Sequence, residues 1–111
     1  MALQQTSVPA VTRERIAAYA DAVQDHNPMH LDDAFAKQAG LPSVIAHGPF
    51  TVALAIDTIL AQRGTPPAGV DARLKAPVFP GEPLQFVPTD TGAELRKDDG
   101  TVAVTLIVKD A

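Results

Sequence analysis

The segment from Phe50 to Ala61 constrains the fold more than any other part of the sequence, because it predicts a helix with almost no polar face. Gly48 and Pro49 precede it, and proline is tolerated best in the first turn of a helix. Arg63-Gly64 predicts its end, since Pro66-Pro67 follows and prevents any continuation. A helix that is apolar nearly all round has to be wrapped by other structure. The sequence therefore predicts a buried central helix.

The residues before this helix predict two others. Thr12 is a suitable N-cap for the first, and apolar residues then recur at helical spacing. This helix must stop before Pro28, which pushes the preceding residue toward extended geometry. Asp32 or Asp33 can cap a short second helix, and Gly40 suits its C-terminal end.

From Val70 onward the pattern changes from helices to strands. The predicted strands are Val70–Pro77, Leu84–Thr89, Gly92–Lys97 and Thr101–Lys109. The last alternates most clearly, and its inward face is predicted to carry Val102, Val104, Leu106 and Val108. Asp99-Gly100 favours a hairpin turn before it, and the residues up to Val11 could add another strand. We expect an α+β fold, with an antiparallel sheet curled around the apolar helix, in a single domain over residues 1–111.

Composition excludes several classes of function. The chain has 111 residues and a formal charge of −4, without the clustered Lys and Arg that nucleic-acid binding needs. It has no cysteine, so thiol nucleophiles, thiolate metal sites and disulfides are excluded. We expect a cytoplasmic protein without a signal peptide, because Met1 to Val8 has neither a charged start nor an apolar run. No segment is apolar enough over a sufficient length to suggest a membrane partner.

Two short motifs combine the groups needed for acid–base chemistry. Asp25-His26-Asn27-Pro28-Met29-His30 places a carboxylate and an imidazole on one loop, and Ala46-His47-Gly48 opens the apolar helix. Pro49 has no N–H, so the first free backbone donor of that helix is Gly48 itself. An acid–base pair beside an N–H donor at a helix N-terminus can move water on or off a carbon next to a carbonyl.

Each of these residues also has an ordinary structural interpretation. Asp25 alone could cap a turn, and His30 alone could be a hydrogen-bonded structural residue. His47 could tie its loop to a backbone carbonyl. His26 and His30 have the spacing of a helical zinc pair, but Pro28 lies between them and no glutamate completes an H-E-x-x-H pattern. We therefore predict no metal and no other cofactor.

The motifs resemble those of a known family. The run D-x-N-P-x-H at residues 25–30, then Asp32, Ala36, Gly40 and Ile45-Ala46-His47-Gly48, is similar to the hydratase motif of the MaoC-like family. The later run Leu74-Lys75-Ala76-Pro77-Val78-Phe79-Pro80-Gly81-Glu82 resembles a strand and turn of that family. The resemblance extends from about Thr12 to Phe86. It implies the hot-dog fold, a curved antiparallel sheet around a long central helix.

The resemblance also implies roles for particular residues. Asp25 and His30 match the catalytic aspartate and histidine, and Gly48 matches the glycine whose N–H binds the thioester oxygen. Asn27 matches an asparagine that we expect to support the loop. The predicted substrate-binding set is Asn27, His47, Pro49, Phe50 and Thr51.

The implied activity is the reversible hydration of trans-2-enoyl thioesters and the dehydration of (3R)-hydroxyacyl thioesters, carried on CoA or acyl carrier protein. A homodimer or higher homo-oligomer is implied, because family members complete the active site across a dimer interface. Arg63, Arg73 and Lys75 are candidates to hold CoA phosphates, and each is also an ordinary solvated side chain. Two alternatives stay open: a non-catalytic acyl-binding subunit with a hot-dog hetero-partner, and a relative turned to thioester hydrolysis or cyclisation.

Overall fold

A computed structural model of the chain describes residues 2–110. Helices predominate in the first half and strands in the second. In chain order the elements are β1 (Thr6–Val8), α1 (Arg13–Val23), α2 (Pro28–Leu31), α3 (Asp33–Gln38), α4 (Gly48–Arg63), β2 (Gly69–Leu74), β3 (Leu84–Pro88), β4 (Gly92–Lys97) and β5 (Val102–Lys109).

The strands form one antiparallel sheet of five strands in the order β1-β3-β4-β5-β2. The two edge strands are therefore β1 and β2. The sheet packs against α4, whose Leu54, Ala55 and Ile59 are buried together with Phe86, Leu95 and other residues of the sheet. This arrangement is the predicted hot-dog fold, and its core explains why α4 has almost no polar face.

Local signals account for most helix ends. Thr12 caps α1 by accepting a hydrogen bond from the Arg15 N–H, and Asp32 caps α3 by accepting from Ala34 and Phe35. The central helix begins at Gly48 and ends at Arg63, as predicted, with Gly64 in the left-handed region at φ 78°.

The Asp25–His30 motif differs from the prediction of a loop. A single helical turn, α2, begins at Pro28 and carries His30. Asn27 caps this turn, because its side chain accepts a hydrogen bond from the Met29 N–H at 3.0 Å. Pro28 occupies the first helical position, where its missing N–H has no partner to lose. The motif is therefore a capped turn, and its proline starts the helix.

Strand ends agree with the sequence pattern within one residue for β3, β4 and β5. The prediction for β2 was too long, because the strand ends at Leu74 and does not reach Pro77. Beyond it, the N–H groups of Lys75 and Ala76 both donate to the Ala103 carbonyl. The β4–β5 register shifts at the same place, since Leu95 pairs with Val104 and Arg96 with Val102. Ala103 is thus a bulged residue, and it is buried despite the predicted alternation.

Within residues 2–110, no helix combines the length and the hydropathy needed to cross a bilayer.

Candidate active site

Asp25 lies in the short connection between α1 and α2, and both its backbone N–H and its carbonyl are hydrogen-bonded. Gln24 ends α1 in the left-handed region at φ 58°, which turns the chain sharply. The Asp25 N–H then donates to the Ala20 carbonyl at 3.0 Å. The Asp25 carbonyl accepts from His47 Nε2 at 3.0 Å. The Asp25 side chain is exposed, so its backbone and not burial sets its position.

The ring of His30 is oriented by a backbone carbonyl. His30 Nδ1 lies 2.7 Å from the Ile45 carbonyl oxygen, which can only accept, so Nδ1 carries the hydrogen. The neutral ring then has its lone pair on Nε2. A second bond holds the same two segments together, because the Ile45 N–H donates to the Met29 carbonyl at 3.1 Å. His30 is half-buried and presents a basic nitrogen in a fixed direction.

His47 lies beneath this pair and is 2% exposed. Its ring stacks on His30, with ring centroids 3.7 Å apart and an angle of 23° between the planes. Tyr19 packs on it at 4.9 Å. Since Nε2 donates to the Asp25 carbonyl, Nδ1 is the bare nitrogen, and it has no hydrogen-bond partner among the residues that the structure describes.

Gly48 supplies the backbone donor at the start of α4. The N–H groups of Phe50 and Thr51 donate to the His47 carbonyl, and Pro49 has none. The Gly48 N–H is therefore the donor of this first turn that helix geometry leaves without an intrahelical partner. Thr51 Oγ1 donates to the Gly48 carbonyl at 2.7 Å. A side chain at position 48 would meet the end of Leu74, so glycine keeps this backbone accessible.

His30 and Gly48 line one cavity of about 330 Å³, whereas Asp25 and His47 are not part of its lining. Its lining is mostly apolar, and it includes His30, Gly48, Thr51, Leu74 and Lys75. A carboxylate oxygen of Asp25, a ring nitrogen of His30 and a ring nitrogen of His47 all lie within 4.8 Å of one another beside it. The structure thus brings together a carboxylate, an imidazole and a helix N-terminus, the groups that acid–base chemistry at a carbonyl compound requires.

The same three side chains are a poor match for a metal ion. A ring nitrogen binds a metal in the plane of its ring, at about 2.0–2.1 Å for zinc. The rings of His30 and His47 are stacked nearly parallel and 3.7 Å apart, so an ion in the plane of one ring lies well outside the plane of the other. The stacking therefore favours acid–base chemistry over metal ligation at this cluster.

The remaining predicted residues lie around the cavity without lining it. Asn27 is exposed and caps α2, and Pro49 is exposed at the start of α4. Phe50 is buried with its ring stacked on Tyr19 at 5.0 Å. Of the predicted substrate-binding set, only Thr51 is part of the lining.

The three candidate phosphate-binding side chains lie in different parts of the structure. Lys75 lines the cavity. Arg73 is exposed on β2. Arg63 lies at the far end of α4, where it forms a two-pronged ion pair with Asp110. That carboxylate raises the pKa of Arg63 above its ordinary value. The guanidinium of Arg63 is thus engaged in a structural ion pair with Asp110.

Sequence reasoning missed Tyr19 and Ile45 as supports of the site. Tyr19 was visible only as one of several apolar positions at helical spacing in α1. Ile45 acts through its carbonyl, which a side-chain pattern does not reveal. Leu74 was within the family-like run at residues 74–82, but its contact with Gly48 joins residues far apart in sequence.

Comparison with known proteins gives consistent matches. A family model described as MaoC like domain matches residues 2–111. The chain is 34% identical over 100 residues to 3-hydroxyacyl-thioester dehydratase X of Mycobacterium tuberculosis (strain ATCC 25618 / H37Rv), covering 90% of this chain and 33% of that protein. It is 44% identical over 64 residues to the peroxisomal enoyl-CoA hydratase 2 of Arabidopsis thaliana, covering 54% of this chain and 21% of that protein. The chain therefore spans a third or less of the length of these two curated relatives.

Solved structures of other proteins have the same fold as this chain. An (R)-hydratase from A. caviae involved in PHA biosynthesis superposes with a TM-score of 0.80 at 25% identity, covering 100% of this chain and 97% of that one. One chain of the ChsH1-ChsH2 complex from Mycobacterium tuberculosis has a TM-score of 0.77 at 18% identity, covering 96% of this chain and 91% of that one.

Proposed function

Because the chain belongs to the MaoC-like domain family, we propose that it is a hydro-lyase that adds water to trans-2-enoyl thioesters and removes it from (3R)-hydroxyacyl thioesters. The observation that carries this proposal is that His30 and Gly48 line one cavity, while a carboxylate oxygen of Asp25 lies within 4.8 Å of a ring nitrogen of His30. We take the acyl carrier to be CoA or acyl carrier protein, residues 1–111 to be one domain, and the location to be cytoplasmic.

In the hydration direction, Asp25 and His30 hold one water between them. They remove a proton from it as its oxygen forms a bond to C3, and a proton is delivered to C2 as the double bond opens. His30 suits this exchange, because its Nδ1–H is held by Ile45 and its Nε2 is free to accept or return a proton. Dehydration is the same sequence in reverse.

Negative charge develops on the thioester oxygen while C2 gains or loses its proton. The Gly48 N–H stabilises that charge from the N-terminus of a helix of 16 residues, whose dipole has the same effect. Loss of one such donor raises the barrier by roughly 3 to 4 kcal/mol in well-studied enzymes. Thr51 lines the cavity beside it and holds the Gly48 carbonyl.

The proposed assembly is a homodimer that joins β2 edges. The cavity lies next to β2, where Leu74 is 58% exposed. A second copy placed against this edge would cover Leu74 and close the open side of the cavity. A hot-dog partner of different sequence could occupy the same place.

The experiment is a spectrophotometric assay with a short trans-2-enoyl-CoA such as crotonyl-CoA. The protein alone should lower the ultraviolet absorbance of the enoyl group. Asp25→Asn and His30→Ala should each reduce kcat by about 10²- to 10⁴-fold, the usual range for a general acid or base. His26→Ala is the matched control, because His26 is exposed on the same loop and pairs with Asp21 at 2.8 Å.

Other outcomes would contradict the proposal in distinguishable ways. Release of free thiol without enoyl loss would indicate thioester hydrolysis. Activity that appears only after a second hot-dog chain is added, and that survives Asp25→Asn, would indicate a non-catalytic subunit.

A further inference from the structure

We propose that His47 is the positioning residue of this site, which holds Asp25, His30 and Gly48 in register without touching the substrate. The inference rests on the function proposed above. It also revises the expectation that His47 binds substrate, because the ring is 2% exposed and does not line the cavity.

His47 is bonded to the backbone of Asp25. His47 Nε2 donates to the Asp25 carbonyl at 3.0 Å, across 22 positions of sequence. The Asp25 N–H is held from the other side by the Ala20 carbonyl at 3.0 Å. The Asp25 side chain is exposed, and its carboxylate accepts one 3.3 Å bond from the Asn27 N–H. Its position is therefore set mainly by the two bonds to its backbone, and among the hydrogen bonds of residues 2–110 the bond from His47 ties it to the N-cap of α4.

His47 also contacts the ring of His30. The two rings stack at 3.7 Å, so the ring of His47 forms the floor on which the ring of His30 lies. The Nδ1 bond to Ile45 fixes one point of His30, and the stacking fixes the plane in which its Nε2 points. A single buried side chain thus contacts both members of the acid–base pair.

The backbone of His47 starts the helix that carries Gly48. Its carbonyl accepts from Phe50 at 3.1 Å and from Thr51 at 3.2 Å, and these bonds make His47 the N-cap of α4. The peptide that carries the Gly48 N–H begins at this residue. All three reacting groups are therefore connected to His47 by one bond or one contact each.

The bare Nδ1 supports an orientation role over a chemical one. It is buried and has no partner among residues 2–110, and burying a polar atom without a partner costs free energy. The ring keeps this orientation because the opposite nitrogen reaches Asp25. We interpret the bond from Nε2 to Asp25 as the reason why the ring is held with Nδ1 unpaired.

The test compares side chains that keep one of the two contacts of His47. His47→Phe keeps a ring to stack on His30 and removes the donor to Asp25. His47→Gln removes the ring and keeps an amide N–H near the place of Nε2, whereas the shorter His47→Asn places its amide near Nδ1. All variants are made in the full chain and assayed with crotonyl-CoA, with thermal unfolding as the check on folding.

We expect His47→Phe to lower kcat by about 100-fold, the effect of a misplacement of about 1 Å, with KM changed less than about threefold. His47→Gln keeps the donor to Asp25 and loses the ring that stacks on His30, so its kcat should lie between those of wild type and His47→Phe. His47→Asn loses both contacts and should be at least as impaired as His47→Phe, because only the longer amide reaches Asp25. A purely structural role would lower the unfolding temperature and the yield, but not kcat per folded molecule. If His47→Phe does not fold, the Gln and Asn pair decides the question.

Two results would overturn the proposal: His47→Phe with wild-type kcat, or Gln and Asn variants with equal kcat. Crystal structures of wild type, His47→Phe and His47→Gln separate this proposal from the proposed function. The distance from the Asp25 carboxylate to His30 Nε2 should grow by about 1 Å in the Phe variant and by less in the Gln variant, which keeps the bond to Asp25. That holds even if wild type fails to hydrate any enoyl thioester, and equal distances in all three structures would refute it.

Discussion

At the scale of single residues, Gly48 combines a backbone donor with the absence of a side chain. The three atoms nearest to an added Cβ all belong to the side chain of Leu74, which is 58% exposed and free to turn away. Gly48→Ala should therefore fold with nearly wild-type stability. Its methyl group would nevertheless occupy the approach of the thioester oxygen to the N–H. We expect kcat/KM for crotonyl-CoA to fall by at least about tenfold, which is ~1.4 kcal/mol of barrier.

The double variant Gly48→Ala/Leu74→Ala identifies the cause of that loss. Removing the Leu74 side chain gives the new methyl group room, so any loss caused by crowding against Leu74 would be recovered. A loss caused by blocking the N–H would persist, and this is the result that we expect. Full recovery in steady-state kinetics would mean that Gly48 serves packing and not oxyanion binding.

At the scale of elements, the ends of α4 could be predicted from the sequence, but the contacts of its N-cap residue could not. Gly48-Pro49 and Arg63-Gly64 are local signals, and the helix begins and ends with them. A bond from His47 to a backbone carbonyl was one interpretation of the sequence, yet nothing in its neighbourhood shows that the acceptor is Asp25. Packing across 22 positions of chain decides that pairing.

The turn α2 and the end of β2 were misjudged for related reasons. Pro28 was taken as a signal against a helix, although proline is well accommodated at a first helical position and Asn27 caps the turn. The apolar pattern continues to Pro77, but the ladder of β2 ends at Leu74, because the bulged Ala103 receives the next two N–H groups. Such a bulge depends on register between strands and leaves no local signature.

The helix α3 is tied to the site through Asp33. Its carboxylate accepts from Arg13 in α1 at 2.9 Å and from the Val44 N–H at 3.1 Å, next to the Ile45 that orients His30. The Arg13 hydrogen bond, followed by that of Val44, holds the pKa of Asp33 below its ordinary value of 3.8. Because the folded pKa is depressed, this stabilisation is present above the unfolded pKa and is lost as pH falls through the folded pKa.

Asp33→Asn should therefore lower the midpoint of thermal unfolding at pH 7, and the difference from wild type should shrink as pH is lowered below 4. The ion pair with Arg13 is exposed, so the effect should be small and should weaken further with added salt. Calorimetry at several pH values gives the measurement. A difference that is constant from pH 7 to pH 3 would show that the charge of Asp33 contributes nothing.

At the scale of the whole molecule, the candidate active-site cavity opens beside the edge strand β2. Leu74 pairs with Val104, which is 1% exposed, so its side chain points to the face of the sheet that α4 covers. Leu74 is nevertheless the most exposed of the large apolar side chains in residues 2–110. An edge strand offers unpaired backbone groups to a second chain, and an exposed apolar side chain at its end adds surface worth burying. These features favour association through β2.

Leu74→Lys should therefore shift the protein toward monomer, because it places a charge in the contact that we propose. Ile107→Lys is the matched control: Ile107 is 38% exposed on the neighbouring strand β5, and it lies on the opposite face of the sheet, since it is an odd number of positions from Val104. Sedimentation velocity at micromolar concentration gives the populations. A dimer that survives Leu74→Lys but dissociates in Ile107→Lys would place the interface on the outer face of the sheet, where a second chain would leave the cavity open. The cavity would then have to be complete within one chain, and substrate could reach Gly48 only past Leu74.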